Sequence, residues 1–135
     1  MKVNLKYGRT CVYNCNYHIV FSVKYRKRIL SGDVERYIRQ LIGEIAIDKG
    51  FEVQAVEVGN GDHIHLFISA HPKISPSYMV KMIKGITARK ILLKYPELKR
   101  QLWKGHLWNS SYYIETIGHI SEETVKKYIE DQKKC

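Results

Sequence analysis

Residues 51–70, FEVQAVEVGNGDHIHLFISA, contain two runs that are typical of β-strands, FEVQAVEVG and HIHLFISA. Both runs are rich in β-branched and aromatic residues, and the second places apolar residues at alternate positions. Between them stands Asn60-Gly61, a dipeptide that accepts positive φ at both central positions of a tight turn. The segment therefore predicts an antiparallel hairpin, around which the other elements can be placed.

Local signals on both sides of the hairpin predict three helices and two further strands. Each helix has a serine or aspartate cap before it, and Gly50 and Tyr95-Pro96 are stop signals for the first two. The predicted elements are a strand at 12–24, a helix from Ser31 or Asp33 to Lys49, a helix from Ser75 to Tyr95, a strand at 106–117 and a helix beginning after Ser121.

This order, β-α-β-β-α-β-α, predicts an α+β fold. Its first six elements match the split βαβ plan, which is ferredoxin-like and RRM-like, with an antiparallel sheet and two helices on one face. The other face of the sheet is predicted to be open, and this plan does not assign a position to the C-terminal helix. With 135 residues the chain is expected to form a single domain, 1–135.

The charge balance narrows the class of partner. Lys and Arg number 23 against 13 for Asp and Glu, a net charge of +10, which favours nucleic acid, with a membrane surface as the competing partner. No run approaches the roughly 20 apolar residues that span a bilayer, and the start MKVNLKYGRT lacks the apolar core of a secretory signal. The three cysteines, an odd number, are expected to be thiols in a reducing cytoplasm.

Two histidines, His63 and His65, stand on alternate positions of the second hairpin strand. Side chains alternate between faces on a strand, so both should face the open side with Phe67, while Ile64, Leu66 and Ile68 face the helices. Same-face neighbours lie about 6.5–7 Å apart, which lets two neutral imidazoles point at one divalent cation. The alternative is a pair of solvated histidines on an exposed face, and the pair alone does not decide between them.

The last helix carries a second pair of functional groups. Tyr128 and Gln132 are four residues apart and project from one helix face, beside Val125 and Ile129, which would dock the helix. In the structural alternative, Tyr128 belongs to the apolar stripe and Gln132 is solvated. Together with two imidazoles and a basic surface, however, a phenol suits covalent attack on DNA, with a metal stabilising charge on the phosphate.

Four segments in order resemble the single-tyrosine transposases of insertion sequences that move as single-stranded DNA, which belong to the HUH nuclease superfamily. They are YHIVFSVKYRKRIL, GDHIHLFI, LWKGHLWNSSYYIETIG and VKKYIEDQ. The resemblance implies that His63, His65 and Gln132 bind Mg²⁺ or Mn²⁺ and that Tyr128 is the nucleophile. It also implies a homodimer that acts on hairpin ends of the element, in the cytoplasm and on the nucleoid.

In the implied reaction Tyr128 attacks the DNA, forms a 5′-phosphotyrosine and releases a 3′-OH. A second DNA 3′-OH then attacks the phosphotyrosine and joins new ends. Because one phosphodiester replaces another, no ATP is needed, and the sequence has no Walker-type phosphate loop. Cutting two ends requires two tyrosines, and the third helix follows a short link after Gly118. We therefore expect Tyr128 to reach the His63–His65 pair of the partner chain, an active site shared in trans.

Basic residues predict a surface that contacts DNA phosphates. Each of them could equally belong to a solvated face, and two alternative functions stay open. These are a single-strand RNA or DNA binder without catalysis, and a metal-dependent phosphodiesterase whose nucleophile is water. The residues predicted to bind DNA are Lys24, Arg26, Lys27, Arg28, Lys81, Lys84, Arg89 and Lys90.

Overall fold

The structure is a computed structural model that describes residues 5–9, 11–118 and 120–133, without the side chains of Trp103 and residues 131–133. Its strands are β1 (Lys6–Tyr7), β2 (Val12–Tyr13), β3 (Asn16–Ser22), β4 (Glu52–Gly59), β5 (His63–Ser69) and β6 (Tyr113–Ile117). Its α-helices are α1 (Gly32–Lys49), α2 (Pro76–Lys94) and α3 (Glu122–Lys133).

The main sheet has the order β4-β5-β3-β6, with every neighbouring pair antiparallel. This confirms the predicted α+β class and the four-stranded antiparallel sheet. In the register, His18 lies opposite Phe67 of β5 on one side and opposite Glu115 of β6 on the other. Three strands that are far apart in sequence therefore meet around His18.

The predicted first strand, 12–24, is wrong in its bounds. Residues 12 and 13 pair with Lys6–Tyr7 in a separate two-stranded ribbon, and the sheet strand begins at Asn16. The physical reason lies in two asparagines, because Asn14 Nδ2 donates to the Gly118 carbonyl at 2.8 Å and Asn16 Nδ2 donates to Asn14 Oδ1 at 2.7 Å. Side-chain bonds of this kind compete with the regular ladder.

The predicted fourth strand, 106–117, is also too long, since β6 covers Tyr113–Ile117. Trp108 forms one isolated bridge with Val23, and the chain then leaves the sheet. Asn109 anchors this departure, because its amide side chain donates to Ser22 Oγ at 2.7 Å and its carbonyl accepts from Lys84 Nζ. Asn109 N–H still donates to the Ser22 carbonyl at 2.9 Å, and regular strand pairing begins at Tyr113.

The helix ends follow their local signals. Ser75 Oγ accepts from the Tyr78 backbone N–H and Ser121 Oγ from that of Thr124, both at 3.1 Å. Gly50 ends α1 in the left-handed conformation, with φ of 81°. Ser31 holds the cap position of α1, but its side chain makes no capping hydrogen bond.

One apolar core lies between the sheet and the pair α1 and α2. Ile64, Leu66 and Ile68 of β5 are fully buried there, together with Ile19 of β3, as the strand alternation predicts. Trp108 is part of this core, and its indole N–H donates to Thr87 Oγ1 at 3.0 Å. Among the described residues, no helix is long and apolar enough to cross a membrane.

Candidate functional site

The hairpin turn sets the position of the first histidine. Asn60 and Gly61 have φ of 51° and 71°, and the Asp62 N–H donates to the Gly59 carbonyl at 3.1 Å. The predicted turn with two positive φ values is therefore confirmed. It places Asp62 at the turn exit and His63 as the first residue of β5, directly opposite Gly59.

His63 is held by the residues of the turn itself. Its Nδ1 lies 2.6 Å from Asp62 Oδ1, and Asp62 Oδ2 in turn accepts from Arg26 Nε at 3.3 Å. An ionised carboxylate can accept but not donate, so Nδ1 of His63 is the donor and Nε2 is the nitrogen turned away from Asp62. A methyl group on Gly59 would overlap Nε2 and Cε1 of the ring, so glycine makes the room that this imidazole occupies.

His63 and His65 share one face of the sheet, as predicted, with ring centroids 5.1 Å apart. The expectation that the pair lies on the accessible surface is wrong for His65, which is 2% exposed, and Phe67 is fully buried. His18 lies beside both on this face, with its ring centroid 5.2 Å from that of His65 and 4.5 Å from that of Phe67, and it is itself fully buried. The three rings therefore pack in one layer, and their burial requires a cover above that layer.

His18 is joined to His65 and to β6 by hydrogen bonds. Its Nε2 lies 3.0 Å from His65 Nδ1, and its Nδ1 lies 3.0 Å from Glu115 Oε1. The hydroxyl of Tyr113 donates to Glu115 Oε2 at 2.6 Å. Burial lowers the pKa of His18 below its usual value, although the hydrogen bond and charge of Glu115 act in the opposite direction.

The third helix brings Tyr128 to the same face. The Tyr128 ring centroid lies 5.4 Å from that of His18, so α3 rests on the side of the sheet opposite α1 and α2. The face that was expected to be open is thus partly covered by the chain's own last helix. The backbone of Gln132 belongs to α3, but its side chain lies outside the described part of the structure.

A cleft of about 590 Å³ opens beside the two histidines. Its lining includes His63, His65, Arg26 and the loop residues Ser111 and Tyr112. The cleft therefore combines two imidazoles, one cation and an aromatic ring. This combination suits a phosphate with a neighbouring base.

The predicted DNA-binding residues divide into three groups. Arg26, Lys27 and Arg28 are exposed, and Arg26 reaches the cleft. Lys84 is partly buried and donates to the carbonyls of Asn109 and Ser111, at 2.5 and 3.3 Å, and burial lowers its pKa. Lys24 also lines a hollow with Lys84, whereas Lys81, Arg89 and Lys90, on the same helix as Lys84, are exposed.

Four residues that build this site were not among the predicted site residues: Gly59, Asp62, His18 and Glu115. Gly59 and Asp62 flank the predicted turn, so their nearness to His63 was visible in the sequence. The link of His18 to His65 depends on strand register. Among the described residues, no cluster of three or more His, Cys, Asp or Glu side chains could hold a metal, so a metal would need a further type of ligand, such as an amide.

Comparison with known proteins gives a consistent result. The family described as Transposase IS200 like matches residues 11–132. The ISDra2 transposase TnpA of Deinococcus radiodurans is 40% identical over 132 residues, which is 98% of this chain and 94% of that protein. A crystal structure of a putative transposase from Deinococcus radiodurans R1 superposes with a TM-score of 0.77 at 36% identity, covering 94% of this chain and 97% of the other.

A more distant structure shares the fold. The REP-associated tyrosine transposase bound to a REP hairpin has a TM-score of 0.59 at 16% identity, over 92% of this chain and 67% of that one. The family match covers almost the whole chain, and it includes β5 with its histidine pair and the Tyr128 helix. The chain therefore belongs to the IS200-like transposase family.

Proposed function

We propose that this transposase cuts and rejoins single-stranded DNA with Tyr128 as its nucleophile and a divalent metal held by His63, His65 and Gln132. The main observation in support of the proposal is the contact between Tyr128 and His18, whose ring centroids lie 5.4 Å apart. Since His18 also stacks on His65, the candidate nucleophile and the candidate ligands share one face of the sheet. Membership of the family supports the same chemistry.

The donor set fits Mg²⁺ or Mn²⁺. Asp62 fixes Nδ1 of His63, and His18 lies against Nδ1 of His65, so each ring offers Nε2 as a ligand atom. With the carboxamide oxygen of Gln132, three protein ligands leave positions of an octahedral ion for water and a phosphate oxygen. When bound, the ion would supply positive charge against the phosphate oxygens.

The residues of the chain would then perform a transesterification. The Tyr128 oxygen attacks phosphorus and gives up its proton, the P–O3′ bond breaks, and the departing 3′ oxygen takes up a proton. The 5′ side stays on the enzyme as a phosphotyrosine, until the 3′-OH of another DNA end attacks and releases the tyrosine. Each step exchanges one phosphodiester for another, so the cycle needs no ATP.

The substrate we propose is single-stranded DNA with the hairpin ends of an insertion sequence, cut in the cytoplasm on the nucleoid. The net charge of +10 and the exposed Arg26, Lys27 and Arg28 beside the cleft support phosphate contacts. Tyr112, 40% exposed at the cleft, offers a ring on which an unpaired base can stack. The REP-associated relative supports hairpin binding, because its structure contains a REP hairpin.

Incubation with single-stranded DNA that carries an element end, in Mg²⁺ or Mn²⁺, tests the nucleophile. The protein should form a covalent adduct that survives denaturing electrophoresis, and Tyr128→Phe should form none. Tyr112→Phe, which removes a neighbouring hydroxyl at the cleft, is the matched control and should keep the adduct. Cleavage without an adduct would instead indicate water as the nucleophile, and binding without cleavage would indicate a non-catalytic DNA binder.

We further propose that the chain works as a homodimer whose active sites are shared in trans. Two DNA ends must be cut and joined in one complex, which calls for two tyrosines. The test mixes Tyr128→Phe with a variant that carries His63→Ala and His65→Ala. In trans, a heterodimer holds one site with both defects and one intact site, so cleavage should return to at most about half of the wild-type level per dimer. In cis, each site keeps one defect and the mixture stays inactive.

A further inference from the structure

Four side chains from three strands form a hydrogen-bonded series beneath the Tyr128 ring. Tyr113 donates to one carboxylate oxygen of Glu115, and the other lies 3.0 Å from Nδ1 of His18. The second ring nitrogen of His18, Nε2, lies 3.0 Å from Nδ1 of His65. We name the series Tyr113–Glu115–His18–His65 the His18 network.

The chemistry of the groups gives the network a direction. A carboxylate has no proton to donate, so His18 must donate to Glu115 from Nδ1. Geometry sets the second contact, because Nε2 of His18 faces Nδ1 of His65 and not its Nε2. A ring with its one N–H at Nδ1 accepts at Nε2, so His65 donates from Nδ1 and turns its Nε2 away from His18.

The strand order explains why an imidazole lies between Glu115 and His65. β3 separates β5 from β6, so these two residues stand more than two strand spacings, or about 9–10 Å, apart. A carboxylate on β6 cannot span that distance to His65, and the ring of His18 bridges it with one nitrogen on each side. At His63, the carboxylate of Asp62 reaches Nδ1 directly.

We propose that His18 and Glu115 are positioning residues that hold His65 in the Nδ1–H form and direct its Nε2 toward the bound metal. A carboxylate would then fix the same tautomer in both predicted histidine ligands. Asp62 would act on His63 directly, and Glu115 would act on His65 through the ring of His18. The metal part of this inference rests on the proposed function, whereas the tautomer part does not. Partners of this kind fix ligand orientation in metal sites and typically change affinity by about 10–100-fold.

Calorimetric titration of the metal-free protein with Mn²⁺ tests the metal part. His18→Phe keeps a flat ring between Phe67 and His65 but loses both hydrogen bonds, and it should weaken Mn²⁺ binding about 10–100-fold. His18→Gln should recover most of this loss, because an amide can donate to Glu115 and accept from His65. A purely structural role would predict no difference between the two variants at equal melting temperature.

Glu115→Leu gives an independent variant, since leucine offers His18 no acceptor oxygen and leaves Nδ1 of that ring without its carboxylate partner. It should also weaken Mn²⁺ binding. Glu97→Leu is its matched control, because Glu97 is exposed and lies directly after α2, away from the histidine pair. This control removes the same charge and should bind Mn²⁺ within about twofold of the wild type. Equal affinities for Glu115→Leu and the wild type would overturn the proposal.

Nitrogen-15 NMR of the imidazoles in the wild-type, metal-free protein tests the tautomer without any variant. The expected spectrum shows protonated Nδ1 and unprotonated Nε2 on both His18 and His65. A His65 that carries its proton on Nε2 would overturn the proposal, whatever the titrations give. A wild type that binds no Mn²⁺ but shows the expected tautomers would instead contradict the proposed metal-dependent function and leave the direction of the network established.

Discussion

Gly59→Ala should damage the proposed metal site more than it damages the fold. Gly59 lies opposite His63 in the hairpin, and an added Cβ would overlap Nε2 and Cε1 of the ring and lie 3.2 Å from Cδ2. Carbon atoms normally pack at about 3.5–4.0 Å, so the ring must shift by about 1 Å or rotate. Either movement breaks the bond between His63 and Asp62.

The two effects differ in size because His63 is partly open to solvent. Its side chain is 18% exposed and can turn outward, so we expect the low end of the cost of overpacking, about 1 kcal/mol of unfolding free energy. A displaced imidazole that has also lost its carboxylate partner should bind metal about 10–100-fold more weakly. Urea unfolding measures the first quantity and Mn²⁺ calorimetry the second.

Two further variants separate the clash from a general effect of alanine. Gly43→Ala, in α1, meets no atom within 4 Å and should stabilise the protein by about 0.5–1 kcal/mol without changing Mn²⁺ affinity. In a His63→Ala background there is no ring to displace, so Gly59→Ala should then cost little. If Gly59→Ala binds Mn²⁺ within twofold of the wild type, the assigned position of the His63 ring is wrong.

Two other predictions concern the histidine pair and a helix cap. Replacing either histidine of the pair by alanine should abolish Mn²⁺-dependent cleavage, yet leave single-strand binding in a fluorescence titration within a few-fold, because phosphate contacts from Lys and Arg dominate affinity. Ser75→Ala removes a capping bond to Tyr78 and should cost about 1 kcal/mol in urea unfolding, whereas Ser31→Ala, where no such bond exists, should cost close to nothing.

The features that were predictable from sequence are those with local causes. The turn at Asn60-Gly61 follows from the φ angles these residues tolerate, and the shared face of His63 and His65 follows from strand alternation. The ends of the helices follow from Gly50 and from the caps at Ser75 and Ser121 in the same way.

The features that escaped prediction depend on strand register. His18 meets His65 across 47 residues of sequence and Glu115 across 97, and nothing local indicates either pairing. A shift of one residue between β3 and β5 would turn His18 into the apolar core. The burial of His65 and the direction of its ring could therefore not be read from the HIH motif.

In the proposed dimer, the surface that receives Tyr128 would not depend on which subunit supplies the helix. His18 is positioned by bonds to β5 and β6, and its stacking partners also lie in the sheet, so the receiving ring is complete without α3. Asn14 and Asn16 both donate to the Gly118 carbonyl, at 2.8 and 3.3 Å, and thereby tie the end of β6 to the sheet. An exchange of α3 between subunits would thus have to begin after Gly118 and would leave the His18 network intact.

For this reason the contact between Tyr128 and His18 within one chain does not oppose sharing in trans, and substitutions in the sheet alone cannot distinguish the two arrangements. Complementation between a chain that lacks Tyr128 and a chain that lacks the His63–His65 pair can distinguish them. Its outcome shows whether the tyrosine and the histidine pair of a working site come from one polypeptide or from two.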